Sequence, residues 1–484
     1  MKVLLTQPAI GESWLSYNRL YAPNLGLLYL AGYLKEFKPG VTIKYLEGHM
    51  SADDHVKAVE SFQPDVYGIT LTAWALPYAS ATINRVKAVF PSLPIVAGGP
   101  YPSINPRAVL EKEAINYCVI GEGEQTFLEL VEYLDGKGSQ ESINGLAYRD
   151  EHGEVVVNPK RKAFRDLDEL PLPDWSLVDF SKYGGPAISK KRPYGHLSAA
   201  RGCPHGCIFC SSNAVWKRSG PWVRHRSPEA IAKEVNLLYD YGVREIVLRA
   251  GSFNANLKWA KEVCRAIKRL KLKEAVFNCE LRCDKVDEEF LGLLHDINMW
   301  CVHLGIESSS PRVLKGIGKR YTIEQVTNAL EMFKQFGIKV YGYFMMFNFW
   351  EDEKGELQIE TPDEVNNTLT FIKSASRRGM LHHFSWAFCT PYEGSQLYDI
   401  AMRHGLMVGT GPKLANELDS SRLPGISVAV RNKYRRRGML LQFELALRNG
   451  DFNLNHVRRG LANLRYVFAR NRHEQWQCEY GRST

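Results

Sequence analysis

Ala200-Arg201-Gly202-Cys203-Pro204-His205-Gly206-Cys207-Ile208-Phe209-Cys210, near the middle of the chain, sets three cysteines at spacings of three and then two intervening residues. Thiolates are soft ligands suited to iron–sulfur clusters, which usually take four cysteines. Only three are local here, so a cubane on Cys203, Cys207 and Cys210 would leave one iron free of protein. An open iron can chelate a substrate or cofactor, as catalytic metals do at their open position. Gly202, Pro204 and Gly206 suit a tight loop wrapped around an inorganic core, and Phe209 adds an aromatic face beside it. Two plainer readings compete: a zinc knuckle, or three unrelated buried thiols. Structural zinc takes a fourth ligand, whereas His205 lies inside the loop and no second Cys-x2-Cys follows.

The Cys-x3-Cys-x2-Cys spacing, with an aromatic residue before the last cysteine, resembles the radical S-adenosylmethionine (SAM) superfamily. The resemblance implies a 4Fe–4S cluster on Cys203, Cys207 and Cys210 whose free iron binds the amino and carboxylate groups of SAM. One electron, from a flavodoxin- or ferredoxin-type donor, then cleaves the sulfonium to a 5′-deoxyadenosyl radical.

The 484 residues are enough for two or three domains, each with a core of its own. Hydrophobic content of 45% and charged content of 24% are ordinary for a globular chain. Ten cysteines, sparse and irregularly spaced, do not read as a disulfide framework. Together with a low-potential cluster they imply a reducing compartment, the cytoplasm. Met1-Lys2-Val3-Leu4-Leu5 runs straight into a strand-like segment with no signal peptide. No stretch approaches the roughly 18 uninterrupted apolar residues of a membrane span.

In the first third, strands are expected at Lys2–Thr6, Thr42–Leu46, Asp65–Thr70, Pro94–Ala97 and Tyr117–Ile120. Helical spacing covers Leu27–Leu34, Asp53–Phe62, Ala79–Phe90 and Thr126–Leu134. This alternation predicts an open parallel α/β sheet, with ligands beyond the carboxyl ends of its strands. The turns after Thr70, at Gly98-Gly99-Pro100 and at Gly121-Glu122-Gly123-Glu124 fall there. No Gly-x-Gly-x-x-Gly opens the first helix, so a dinucleotide fold is not supported. Pro23-Asn24-Leu25-Gly26-Leu27, Gly68-Ile69-Thr70-Leu71-Thr72, Gly98-Gly99-Pro100 and Gly121-Glu122-Gly123-Glu124, in this order ahead of the cysteines, resemble the cobalamin-binding domain of class B radical SAM enzymes. Tyr101 stands where that family commonly has His, and the Asp-x-His-x-x-Gly signature of an axial histidine is missing. His49 is read as an ordinary loop residue, so the resemblance implies cobalamin in its base-off form with no histidine on cobalt. Thr70, Thr72, Gly98, Gly99, Pro100, Gly121, Glu122 and Gly123 are then its expected contacts, with Trp74 against the lower corrin face or packed in the core.

Ile143–Tyr148 and Val155–Val157 alternate like a small hairpin extension, and Leu167 to Trp175 is a proline-punctuated connection. A second alternation follows, with strands near Gly195, at Glu245–Arg249, Ala275–Asn278, Val302–Ile306 and Lys339–Met346. Helices are expected at Ser227–Tyr239, Leu257–Leu270, Asp287–His295, Ile323–Phe336 and Thr361–Ser374. About six such repeats predict a partial (β/α)6 barrel with its chemistry at the strand ends. By resemblance Glu307, after a barrel strand, contacts SAM, and Glu280 and Arg282 match polar positions near it. Arg282 is alternatively half of a surface ion pair. Phe347-Asn348-Phe349-Trp350-Glu351 replaces the family's Gly-Leu-Pro-Gly-Glu and hints at an apolar or extended substrate. Cys279, Cys283, Cys301 and Cys389 are read as packed thiols.

From Arg431 onward Lys433, Arg435, Arg436, Arg437, Arg448 and further arginines meet few acids. Met439-Leu440-Leu441, Phe443, Leu445 and Leu447 are read as one apolar stripe, and Leu461, Leu464, Val467 and Phe468 as another. A basic helical appendage docked on the barrel is the plain reading; peripheral contact with the inner membrane surface or a lipid-like substrate is the sharper one. No nucleic-acid motif accompanies the charge.

The expected class is thus α/β: a cobalamin-binding Rossmann-like sheet (1–140), a hairpin extension and linker (141–190), a radical SAM partial barrel (191–400) and a basic helical region (401–484). The resemblance, over residues 1–400, implies a methyltransferase in which the deoxyadenosyl radical takes hydrogen from an unactivated carbon that accepts methyl from methylcobalamin. A radical cyclase or ring-rearranging enzyme, on a tetrapyrrole or hopanoid-type substrate, needs the same cluster and corrin. A cobalamin- and redox-responsive binding protein with a structural cluster is the reading from another class, against which the open iron argues.

Overall fold

In the computed structural model, which describes residues 1–8, 21–47, 50–73, 75–186, 188–216, 222–408 and 421–450, the first third pairs apolar runs into one sheet. Its strands are β1 (Lys2–Thr6), β2 (Thr42–Leu46), β3 (Val66–Thr70), β4 (Ile95–Gly98), β5 (Tyr117–Val119), β6 (Leu146–Arg149) and β7 (Val155–Val157). The order is β2-β1-β3-β4-β5-β6-β7, parallel through β5 and antiparallel beyond it. The hairpin expected as an extension therefore completes the edge of this sheet. β1 and β3 are near-fully buried because helices cover both faces, which is how parallel strands come to read as apolar runs. Local signals set the helix starts: Asn24 caps Leu25–Phe37, and Ser51 with Asp54 forms a capping box on Ala52–Phe62.

Gly98-Gly99-Pro100 is not only a turn. Pro100 opens a short helix, Pro100–Ile104, and Pro106 opens another, Pro106–Lys112. A proline at the first helical position loses no hydrogen bond, so the same residue serves either structure.

The second sheet comprises β8 (Tyr194–Ser198), β11 (Glu245–Arg249), β12 (Val276–Leu281), β13 (Met299–Glu307), β14 (Lys339–Met346) and β17 (His383–Phe388). All neighbours are parallel, in the order β17-β14-β13-β12-β11-β8, and Ser227, Asn256, Asp287, Thr322 and Thr361 cap the crossing helices. This is the expected partial barrel. Two small ladders decorate it: β9 (Ala200–Arg201) with β10 (Arg224–His225), and β15 (Phe349–Glu351) with β16 (Leu357–Ile359). The latter hairpin removes the basis for reading an apolar or extended substrate from Phe347–Glu351. Phe347, Phe349 and Trp350 are buried, with Trp350 against Gly316, so they say nothing about substrate.

One apolar cluster runs from Val3, Leu28 and Phe127 through Trp175 and Phe180 to Leu197 and Val235. The linker is thus core rather than tether, fixed further by Asp174 N donating to Leu28 O at 3.0 Å and Trp175 Nε1 to Glu234 at 3.2 Å.

The C-terminal helix, Val428–Arg448, docks on β17: Trp386 Nε1 donates to Tyr434 O (3.2 Å) and Gln442 to Phe384 O (2.9 Å). Leu441 and Leu445 are buried, whereas Leu440, Phe443 and Leu447 are exposed. The apolar residues read as one stripe therefore divide between opposite faces, as about 100° per residue requires. The second stripe lies outside the described residues. No helix among the described residues is long and apolar enough to cross a membrane.

Gly438 faces the Trp386 ring so closely that a side chain there would overlap it. Gly438→Val should cost about 1–3 kcal/mol in denaturant unfolding, as overpacking does. Leu440→Gln, on the exposed face of the same helix, should stay within about 0.5 kcal/mol.

Candidate active site

The cysteine loop leaves the barrel directly after β8. Gly202, at φ 88°, passes so close to the Trp222 carbonyl that a Cβ would overlap it. Behind the loop Ile208 N donates to Ile317 O (3.2 Å) and Leu397 N to Ile208 O (2.8 Å). Cys203, Cys207 and Cys210 are half-buried and free, while Pro204 and Gly206 face solvent. Cys118, Cys264, Cys279, Cys283, Cys301 and Cys389 are buried thiols in the core. Among the described residues no group of three or more His, Cys, Asp or Glu converges on a point fit for a single metal ion. The donor set fits a cluster whose thiolates occupy separate corners, and lacks the closed four-ligand shell of structural zinc.

The strand ends facing the loop carry charge. Glu307 ends β13 in the left-handed region (φ 68°), where the register with β14 shifts, and meets Lys319 Nζ at 3.0 Å. Lys319 is buried over the rings of Phe209 (5.7 Å) and Tyr321 (5.5 Å). Burial alone would lower its pKa, but the charge of Glu307 wins and holds the ammonium above its ordinary value. Arg282 grips Asp284 (2.8 and 3.0 Å) and donates to Lys319 O (2.7 Å). It is half of an ion pair, as one reading had it, but a buried one. Glu280 pairs with Arg249, and a second carboxylate oxygen is buried with no partner.

Between this rim and the first sheet lies a cavity of about 600 Å³, within the usual range of ligand sites. Its inner part lies at the carboxyl ends of β1, β3, β4 and β5, with Leu5, Leu30, Gly68, Val96, Val119 and Phe127 as an apolar slot. The order β2-β1-β3 reverses direction there, the switch point at which open α/β sheets bind ligands. Thr70, Gly98, Gly99, Gly121, Glu122 and Gly123 line it as expected positions. Thr72 carries a buried Oγ1 without a partner nearby, Pro100 is exposed on its helix away from the lining, and Trp74 and His49 lie outside the described residues. The outer part is Ser198, Ala200, Arg201, Gly202, Arg249, Gly251 and Glu280, so the cavity ends one residue from Cys203.

What holds the two halves together was not anticipated. Arg201 donates to Glu122 (2.8 Å) and Glu124 (2.5 Å) of the first sheet and lies 5.1 Å over the Tyr29 ring. Arg224, opposite Arg201 across the β9–β10 ladder, donates to Glu122 at 2.8 Å. Burial alone would raise the Glu122 carboxyl, but the Arg201 charge and the hydrogen bonds from Arg224 and Arg201 hold it below its ordinary value. Glu122, expected to touch cobalamin, thus spends both oxygens on arginines.

The model of the radical SAM superfamily matches residues 197–357, and that of the B12 binding domain residues 18–131. An uncharacterized methyltransferase of Pyrococcus horikoshii is 31% identical over 84% of this chain and 84% of its own. The chain belongs to the cobalamin-dependent radical SAM enzyme family. An anaerobic magnesium-protoporphyrin IX monomethyl ester cyclase of Rubrivivax gelatinosus is 27% identical, over 78% of this chain and 66% of its own. The radical SAM methyltransferase TsrM of Kitasatospora setae, with cobalamin and a [4Fe-4S] cluster bound, has the same fold at a TM-score of 0.67 and 18% identity, over 90% and 84%.

In this radical SAM barrel a second feature escaped the sequence reading. Ser198, Arg249, Glu280, His303, Tyr341 and His383 sit at one level of the lumen, adjacent pairs being in register across β8, β11 and β12–β14 to β17. His303, Tyr341 and His383 stack in sequence, and His303 Nδ1 shares a hydrogen bond with Tyr343 (2.9 Å). Burial, then Arg249 and His383, lower the His303 pKa to about 4, so its ring is neutral near pH 7. The period-two polar residues on the expected strands were the available signal.

Arg201→Met leaves two buried carboxylates short of a partner and should cost about 3–5 kcal/mol at pH 7. Glu122 has a lowered folded pKa, so its stabilising contribution is present above the ordinary 4.5 and lost as pH falls through the folded value. The gap between parent and variant in urea unfolding should therefore narrow below pH 4.5.

Proposed function

We propose that this chain is a radical SAM C-methyltransferase acting on a small organic substrate held in the barrel lumen. The observation that carries the reading is the single cavity joining the switch point of the B12-binding sheet to the cysteine loop. When bound, the cluster with SAM supplies a 5′-deoxyadenosyl radical and methylcobalamin a methyl group. Cys203, Cys207 and Cys210 are the thiolates for three irons, with Phe209 beside them. Glu307, presented by its left-handed turn and countered by Lys319, and Arg282 behind it face the SAM end of the rim. Thr70, Gly98, Gly99, Gly121 and Gly123 give backbone and small side chains against which a wide macrocycle could lie, with the unpartnered buried hydroxyl of Thr72 two residues beyond Thr70. The apolar slot from Leu5 to Phe127 would hold apolar parts of a bound cobalamin, and the base-off form with no histidine on cobalt belongs to the same proposal. The polar girdle from Ser198 to His383 favours a compact substrate with hydrogen-bonding groups over a lipid chain, whose methylenes leave those groups unpaired. The cyclase among the relatives supports ring formation as a second reading, with the same parts.

Anaerobically reconstituted protein given SAM and a low-potential reductant should release 5′-deoxyadenosine, and Cys203→Ala should abolish it. S-adenosylhomocysteine formed alongside supports methyl transfer; deoxyadenosine with no S-adenosylhomocysteine in the presence of a converted substrate supports cyclisation. Release that persists in Cys203→Ala refutes both.

A further inference from the structure

We infer that the solvent face of the cysteine loop is the docking surface for an acidic one-electron carrier protein, and that Lys285, Lys315 and Arg320 recruit it. The inference rests on the cluster reading above and adds the route by which the electron arrives. The loop has two sides. Gly202 lines the cavity, while Pro204 and Gly206 are exposed and lie outside its lining, which leaves the loop tip open to solvent. Two segments collar that exposed tip. Residues 315–320 press on it from one side: Ile317 O accepts from Ile208 N, and Gly318 lies against the Gly206 carbonyl. Residues 282–285 are tied to this segment, Arg282 donating to Lys319 O at 2.7 Å.

The charge left over on this collar is positive. Its acids are already engaged: Asp284 by Arg282 at 2.8 and 3.0 Å, and Glu307 by Lys319 at 3.0 Å. Lys285, Lys315 and Arg320 are exposed, and none of them forms an ion pair with a described acid. Lys285 Nζ is steadied by the Ala255 carbonyl (2.8 Å), which leaves its charge uncompensated. A fixed patch of one sign steers a partner of the other sign and governs its association rate more than its residence. Electron-transfer encounters are small and short-lived, so three uncompensated cations around an exposed tip are a sufficient footing.

The test compares two reductants on full-length, anaerobically reconstituted protein: a reduced flavodoxin, acidic and protein-sized, and reduced methyl viologen, a small cation. Bleaching of the cluster's visible absorption gives the rate. The variant is Lys285→Glu/Lys315→Glu/Arg320→Asp, with aspartate at 320 because that residue has φ 56° and Asp tolerates the left-handed region. With flavodoxin at low salt the variant should be reduced at least about tenfold more slowly than the parent, the two converging at high salt as screening removes the attraction. With methyl viologen the variant should be reduced as fast as the parent or faster. An unchanged flavodoxin rate, or a loss equal for both reductants, overturns the docking surface while leaving the cluster reading intact. A parent protein that neither reductant bleaches overturns the cluster reading and the docking surface with it.

Discussion

The structure turns on Arg201, a guanidinium buried between two carboxylates of a different sheet, two residues ahead of the first cysteine of the cluster motif. Taking four charges out of water is expensive, and such a network adds little net stability compared with an apolar packing of equal volume. Its value is geometric. Arg201 and Arg224 can satisfy Glu122 and Glu124 in one relative placement of the sheets, and that placement brings the carboxyl ends of β1, β3, β4 and β5 opposite the cysteine loop. The nonpolar cluster through Trp175 and Phe180 supplies the adhesion; the ion network supplies the register.

A second contact closes the other side of the same interface. Asn105, after the helix opened by Pro100, donates to Glu393, and Gly394 packs on Ile104. The turn Pro391–Ser395 thereby anchors the first domain to the end of the barrel. Helices, glycine turns and charge pairs distant in the chain all serve one cavity wall, which is why the site belongs to neither sheet alone.

Much of this was legible locally. β14 runs over Lys339–Met346 as the alternation of apolar residues indicates, and Ser227-Pro228 announces its helix as cap and first-turn residue. The cysteine spacing and the Gly-rich turns pointed to the right cofactors' domains, as the matches to both family models bear out. Other features were not legible for a physical reason. Arg201 and Glu122 are 79 residues apart, and hydrophobic periodicity carries no information on which buried charges will meet. Phe349 and Trp350 hinted at an apolar substrate because nothing local shows that a hairpin will bury them, with Trp350 against Gly316. Lys319 stands between Gly318 and Arg320 with the look of a surface lysine; only the fold places it over Phe209.

The account stands or falls on a cluster and a corrin facing each other across one cavity. Electron paramagnetic resonance of the anaerobic, reconstituted protein tests this directly, with cobalamin in the Co(II) state and the cluster reduced. Two spins across a shared cavity should couple, broadening or splitting both signals relative to samples holding either one alone. Two signals that simply add, or a protein that retains no corrinoid, would contradict it.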